Sequence, residues 1–114
     1  MVLKGSRVLV VEDDPFIALD VAANLESEGA TVVGPAYDLA AALAEDAGLS
    51  AAVLDLRLEP EDTLPVAARL AERGMPFLLQ TTDPRAVLDA RPDALVLSKP
   101  FPAETLVLTL ETLL

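Results

Sequence analysis

The sequence predicts an α/β protein, a doubly wound parallel sheet of five strands with helices on both faces, and three observations carry that prediction. Strand-like apolar runs and helix-like segments alternate five times without a break, the order that crossover connections impose on a parallel sheet. The strand-like runs are continuously aliphatic, as expected of strands covered on both faces. Finally, "VLVVEDDP", "AAVLDLRL", "PFLLQTT" and "VLSKPF" each stop on acids, a hydroxyl or a lysine. A parallel sheet then gathers Glu12, Asp13, Asp55, Thr81 and Lys99 at its carboxyl edge, where the sites of such sheets lie.

"RVLVV" (7–11) is the first strand. Asp14 and Pro15 supply an N-cap acid and an N1 proline for a helix that ends before Gly29, with Ile17, Val21 and Leu25 at fourfold spacing as its inward face. "ATVVGPA" (30–36) is a second strand closed by Gly34 and Pro35, and Asp38 caps the alanine-rich "LAAALAED" as a second helix. "SAAVLDL" (50–56) is the third strand. Asp62 or Thr63 opens the helix "LPVAARLAER", with Val66, Leu70 and nearby alanines as its inward face and Gly74 at its end.

"PFLLQT" (76–81) and "ALVLS" (94–98) are the fourth and fifth strands. Between them Pro84 opens and Pro92 closes a fourth helix of little more than two turns. "PAETLVLTLETLL" starts with Pro102 in its first turn and Glu104 near the positive end of a final helix, although its alternation of Leu and Thr is also a strand pattern. Leu106, Val107, Leu108, Leu110, Leu113 and Leu114 exceed what one buried stripe needs, and part of that surplus reads as a homodimer or docking face.

At 114 residues the chain is expected to be one domain, 1–114, with no second domain. A composition 53% hydrophobic and 24% charged argues for a packed core. The net charge of −11 repels phosphate backbones and anionic membranes, so no nucleic-acid or membrane partner is expected. With neither a spanning apolar run nor a signal-like start in this sequence, a cytoplasmic protein is expected. The absence of Cys and His rules out thiol nucleophiles, His-containing triads and soft metal sites, so any metal is a hard cation bound by oxygen.

Together these segments resemble the receiver domain of bacterial two-component response regulators over essentially the whole chain. An acidic cluster after the first strand, Asp55 after the third, Thr81 after the fourth and Lys99-Pro100 after the fifth occur in the family's order. The resemblance implies a flavodoxin-like sheet of order 2-1-3-4-5 and makes Asp55 the phosphoacceptor, taking a phosphoryl group from a kinase phosphohistidine. It implies a magnesium ion held by Asp13, by Asp55 and by the backbone carbonyl of Arg57, with Glu12 on a coordinated water, and leaves Asp14 as a helix cap. Lys99 and Thr81 are the expected phosphate ligands, Thr81 being also the switch, and the Lys99-Pro100 peptide is expected to be cis.

Three departures stand out. Val96 occupies the position where many receivers carry the switching aromatic. Thr82 replaces a small residue beside the phosphate, and Arg57 fills the variable position two after the acceptor. Only 26 residues separate Asp55 from Thr81 and 18 separate Thr81 from Lys99, as in a shorter group of receivers, often stand-alone, with a reduced fourth helix.

The expected function is therefore a phosphoacceptor signalling module, not an enzyme, whose partners are a histidine kinase or phosphotransfer protein and an unidentified output protein. A receiver cut from a hybrid kinase or larger regulator, or a degenerate receiver acting by constitutive docking, is the alternative. An aspartate phosphatase would need a second aspartate where Arg57 stands. A flavin module would need a phosphate-cradling loop where "EDDP" stands, and ring-stacking aromatics.

Overall fold

The protein is described by a computed structural model covering residues 2–37, 39–44, 48–58, 61–91 and 94–114. In chain order the elements are β1 (Arg7–Val11), α1 (Pro15–Ser27), β2 (Thr31–Ala36), α2 (Leu39–Ala44), β3 (Ala51–Asp55), β4 (Arg57–Leu58), β5 (Glu61–Asp62), α3 (Leu64–Glu72), β6 (Phe77–Thr81), α4 (Pro84–Ala90), β7 (Leu95–Ser98) and α5 (Ala103–Leu113). The main sheet runs β2-β1-β3-β6-β7 with every pair parallel. Leaving out the two-residue strands β4 and β5, this is the 2-1-3-4-5 order that the resemblance implies.

Each strand divides its side chains between two cores, as the period of two requires. Leu9, Val11, Ala52, Leu54 and Leu79 meet Ala42 of α2, Val66, Ala67 and Leu70 of α3, and Val87 of α4. Val8, Val10, Ala51, Val53 and Leu78 meet Val21 and Leu25 of α1 and Leu106 and Leu110 of α5. Helices α1 and α5 thus cover one face and α2, α3 and α4 the other. With both faces covered, the carboxyl edge is where polar groups collect.

Several local expectations need correcting. The inward stripe of α1 is Ala18, Val21, Ala22 and Leu25, while Ile17 is 41% exposed; at about 100° per residue, a stripe centred on Val21 and Ala22 leaves position 17 at its margin. Gly34 and Pro35 lie inside β2 instead of closing it. The pairing register shifts between Leu9 and Val11 there, Gly34 has φ +94°, and a Cβ on it would come within 2.7 Å of the Ala36 amide nitrogen, so only glycine fits. The antiparallel pair β4–β5, with Arg57 opposite Asp62 and Leu58 opposite Glu61, was not foreseen. Asp38 and Pro92, expected to cap the second helix and close the fourth, lie outside the described residues.

The ambiguous C-terminal segment is helical. Leu106 and Leu110, four apart, are buried, and the Thr109 and Thr112 hydroxyls donate back to the carbonyls of Thr105 and Thr109 at 2.6 Å. The threonines so satisfy themselves within the helix, leaving no strand-like demand for a neighbour. Leu108 and Leu114 face outward. Truncating Leu106 to Ala should destabilise the protein by about 3 kcal/mol, whereas Leu108→Ala should stay within about 0.5 kcal/mol of the parent. Urea titration of both variants checks this, and equal losses would contradict the helical packing.

Candidate functional site

The site grows from the carboxyl ends of β1, β3, β6 and β7. Glu12 follows β1 and is fixed from both sides: its amide donates to the Ala36 carbonyl at 3.0 Å, and its Oε1 accepts from the Asp14 amide at 3.2 Å. Asp14 in turn caps α1, its Oδ1 accepting from the Phe16 and Ile17 amides at 2.9 and 3.3 Å. Glu12 is thereby turned inward, 1% exposed, while Asp13 between them remains at the surface. Asp55, the last residue of β3, is 7% exposed.

Carboxylate oxygens of Glu12, Asp13 and Asp55 all lie within 4.8 Å of one another. Such proximity of like charges is unfavourable unless cations or protons intervene. Lys99, entering after β7, donates from Nζ to Asp55 Oδ2 at 3.0 Å and stands 3.6 Å from Glu12 Oε2. Glu12 Oε2 is buried and accepts no hydrogen bond. Burial first, and then the neighbouring Asp55 carboxylate, push the Glu12 carboxyl up to about 8 despite Lys99.

Thr81 ends β6, buried, and its Oγ1 accepts from the Asp83 amide at 3.0 Å. Its carbonyl accepts from the Lys99 amide at 2.8 Å, tying the ends of β6 and β7 together. The Lys99-Pro100 peptide is cis, as the resemblance implied. Arg57 points its side chain to solvent while its amide approaches Asp55 Oδ1 at 3.4 Å. Thr82 is exposed beside Thr81. Val96, half-buried, is in register with Leu79, two residues before the Thr81–Ser98 pair, and so shares the face of Thr81.

One residue has a part beyond the one its sequence position predicts. Thr63 is the N-cap residue that opens α3, as expected, and it is also fully buried with its Oγ1 donating to the Asp55 carbonyl at 2.8 Å. No sequence signal separates that use from ordinary capping, since the same residue type at the same position does both.

The chain and its fold have clear relatives. The chain is 38% identical, over 97% of its own length, to the transcriptional regulatory protein TcrA of Mycobacterium tuberculosis. It spans 47% of that protein's length. Among solved structures it superposes on a response regulator receiver protein from Sinorhizobium medicae at a TM-score of 0.81 and 26% identity, covering 97% of this chain and 95% of that one. The non-phosphorylated HemR receiver domain from Leptospira biflexa gives 0.81 and 25%, covering 95% and 93%. The response regulator TrrA from Thermotoga maritima, solved in complex with Mg2+ and BeF, gives 0.83 and 23%, covering 96% and 99%. No protein-family model matches the chain.

Glu12 yields a prediction of sign. An acid whose carboxyl ionises near 4.5 when unfolded and near 8 when folded stabilises the fold less as pH rises through that interval, because only the folded state retains the proton. In EDTA, Glu12→Gln should flatten the decline of Tm between pH 4.5 and 8 and be the more stable protein at the upper end. Parallel Tm profiles for the two proteins would show that this carboxyl carries no such burden.

Proposed function

We propose that this chain, a receiver domain of the two-component response-regulator family, uses Asp55 to accept a phosphoryl group from a partner's phosphohistidine and reports the new charge by changing a protein-docking surface. The observation that carries the proposal is the Lys99 ammonium held 3.0 Å from Asp55 Oδ2 within a cluster of three carboxylates. A carboxylate attacks an anionic phosphorus only where the accumulated negative charge is compensated. Lys99 provides one cation in the right place, and the cluster has donors for a second.

Those donors suit magnesium. They are hard oxygens, and the buried Glu12 Oε2 has no hydrogen-bond partner, as expected of an atom that would meet a bound ion's water. Asp13 and Asp55 would bind the ion directly, joined by the Arg57 carbonyl, with Glu12 acting through water. When bound, the ion would neutralise charge on the phosphoryl oxygens. The Mg2+ and BeF complex of the Thermotoga relative lends support from a protein of the same fold.

The residues' parts in the transfer follow. One Asp55 oxygen forms the O–P bond as the P–N bond of the donor breaks, and the imidazole leaves with that electron pair. Lys99 exchanges part of its hydrogen bonding from Asp55 to a phosphoryl oxygen, as a mobile point charge can. Thr81 turns its hydroxyl toward another oxygen. Arg57, standing where a phosphatase would need an acid, leaves the module without turnover of external phosphate esters. Thr82 and Arg57, both exposed at the rim, tune water's access to the phosphoaspartate.

The partners in this proposal are a histidine kinase or phosphotransfer protein and an output protein, with the outward leucines of α5 available for pairing with a second copy. The charge of −11 opposes direct nucleic-acid contact by this domain. Among the described residues no helix is long and apolar enough to cross a membrane; a cytoplasmic site of action is part of the proposal.

Acetyl phosphate supplies a donor that needs no partner. Intact-mass spectrometry should show one phosphoryl group on the parent in the presence of Mg2+, lost in EDTA and lost in Asp55→Asn. Undiminished incorporation in Asp55→Asn would overturn the assignment.

A further inference from the structure

The segment between Asp55 and α3 is closed by a residue that performs two tasks at once. Thr63 occupies the N-cap position of α3, where a threonine hydroxyl ordinarily accepts a hydrogen bond from the first turn and contributes about 1 kcal/mol. Here it makes no capping bond. Asp62 takes that duty instead, its Oδ1 accepting from the Leu64 amide at 3.0 Å. The Thr63 hydroxyl points back and donates to the Asp55 carbonyl at 2.8 Å, while its amide donates to the Leu56 carbonyl at 2.9 Å. The side chain is completely excluded from solvent.

These two bonds tie the start and end of one loop. Between them β4 and β5 pair, holding Arg57 opposite Asp62, and the Arg57 amide approaches Asp55 Oδ1 at 3.4 Å. We propose, building on the phosphoacceptor reading above, that Thr63 is a positioning residue for the cation site: its hydroxyl sets where the Asp55 backbone and the Arg57 carbonyl stand, and with them two of the three protein ligands. The hydroxyl touches neither ion nor phosphate and acts only through those groups. Because it contributes nothing to capping α3, its loss is felt at the site before it is felt in the helix.

Outer groups that orient metal ligands typically govern affinity by about 10–100-fold. Thr63→Val keeps the volume and removes the donor; Thr63→Ser keeps the donor. Calorimetric titration with Mg2+ should give Thr63→Val a Kd raised about tenfold and return Thr63→Ser to the parent value. Phosphoryl incorporation from acetyl phosphate in Thr63→Val should shift to higher Mg2+ and recover fully at saturation. A parent-like Kd in Thr63→Val overturns this role while leaving Asp55 as acceptor untouched. A parent protein that binds no Mg2+ overturns both. Should Thr63→Val fail to fold, the parent still decides: the hydroxyl proton of Thr63 should appear in NMR spectra as a slowly exchanging resonance, and rapid exchange with water contradicts the bond.

Discussion

Everything at the carboxyl edge of this sheet answers to one constraint, three carboxylates brought within 4.8 Å of one another in a place where two of them are buried. Left alone, such a cluster would push its members apart or take up protons, and the raised ionisation of Glu12 shows the second response. Lys99 relieves Asp55 directly and Glu12 less, at 3.0 and 3.6 Å. The remaining charge is the reason that the site is receptive to a divalent cation, and through it to an anion. A site already neutral would bind neither.

Holding repelling groups together requires backbone anchors that do not yield, and the chain supplies one per element. Glu12 is pinned by the Ala36 carbonyl on one side and the Asp14 amide on the other; the β6 and β7 ends are joined from Lys99 to Thr81; and Thr63 returns from α3 to the end of β3. These bonds link residues distant in sequence to the same sheet edge. The site is thereby as rigid as the sheet that carries it, while the side chains that would move, those of Lys99 and Thr81, each have a single described hydrogen-bond role from which they can be recruited.

How much of this was legible in the sequence depends on whether a feature is set by local or by distant chain. The strands and the clustering of Glu12, Asp13, Asp55 and Lys99 follow from continuous aliphatic runs and abrupt polar ends, which are local patterns repeated at each strand, whereas the order of the strands is implied only by the family resemblance. The fourfold spacing of Ile17, Val21 and Leu25 points to an inward face that includes Ile17, whereas the buried stripe of α1 runs through the small side chains of Ala18 and Ala22. The β4–β5 pair is two residues long on each side, below what periodicity can register. Gly34 and Pro35 read as a terminator, yet β1 carries the strand past them through a register shift. In each case the deciding contact lies elsewhere in the chain.

The same distinction bears on how charge at Asp55 could be read by the rest of the molecule. The face of the sheet that holds Thr81 carries Val96 two register positions away, a β-branched side chain with one χ angle, packed against the core that includes Leu79 and Val87. A valine there cannot swing between buried and exposed positions as a ring can. On the proposed reading, motion of Thr81 must therefore pass through main chain: its carbonyl holds the Lys99 amide, its hydroxyl holds the Asp83 amide, and Asp83 caps α4 by accepting from Ala86 at 3.4 Å. Drawing the Thr81 hydroxyl toward a phosphoryl group would release the Asp83 amide and loosen the start of a seven-residue helix whose buried anchor, among the described residues, is Val87. On that reading a short α4, anchored at Val87, would take over the signalling part that an aromatic switch otherwise plays.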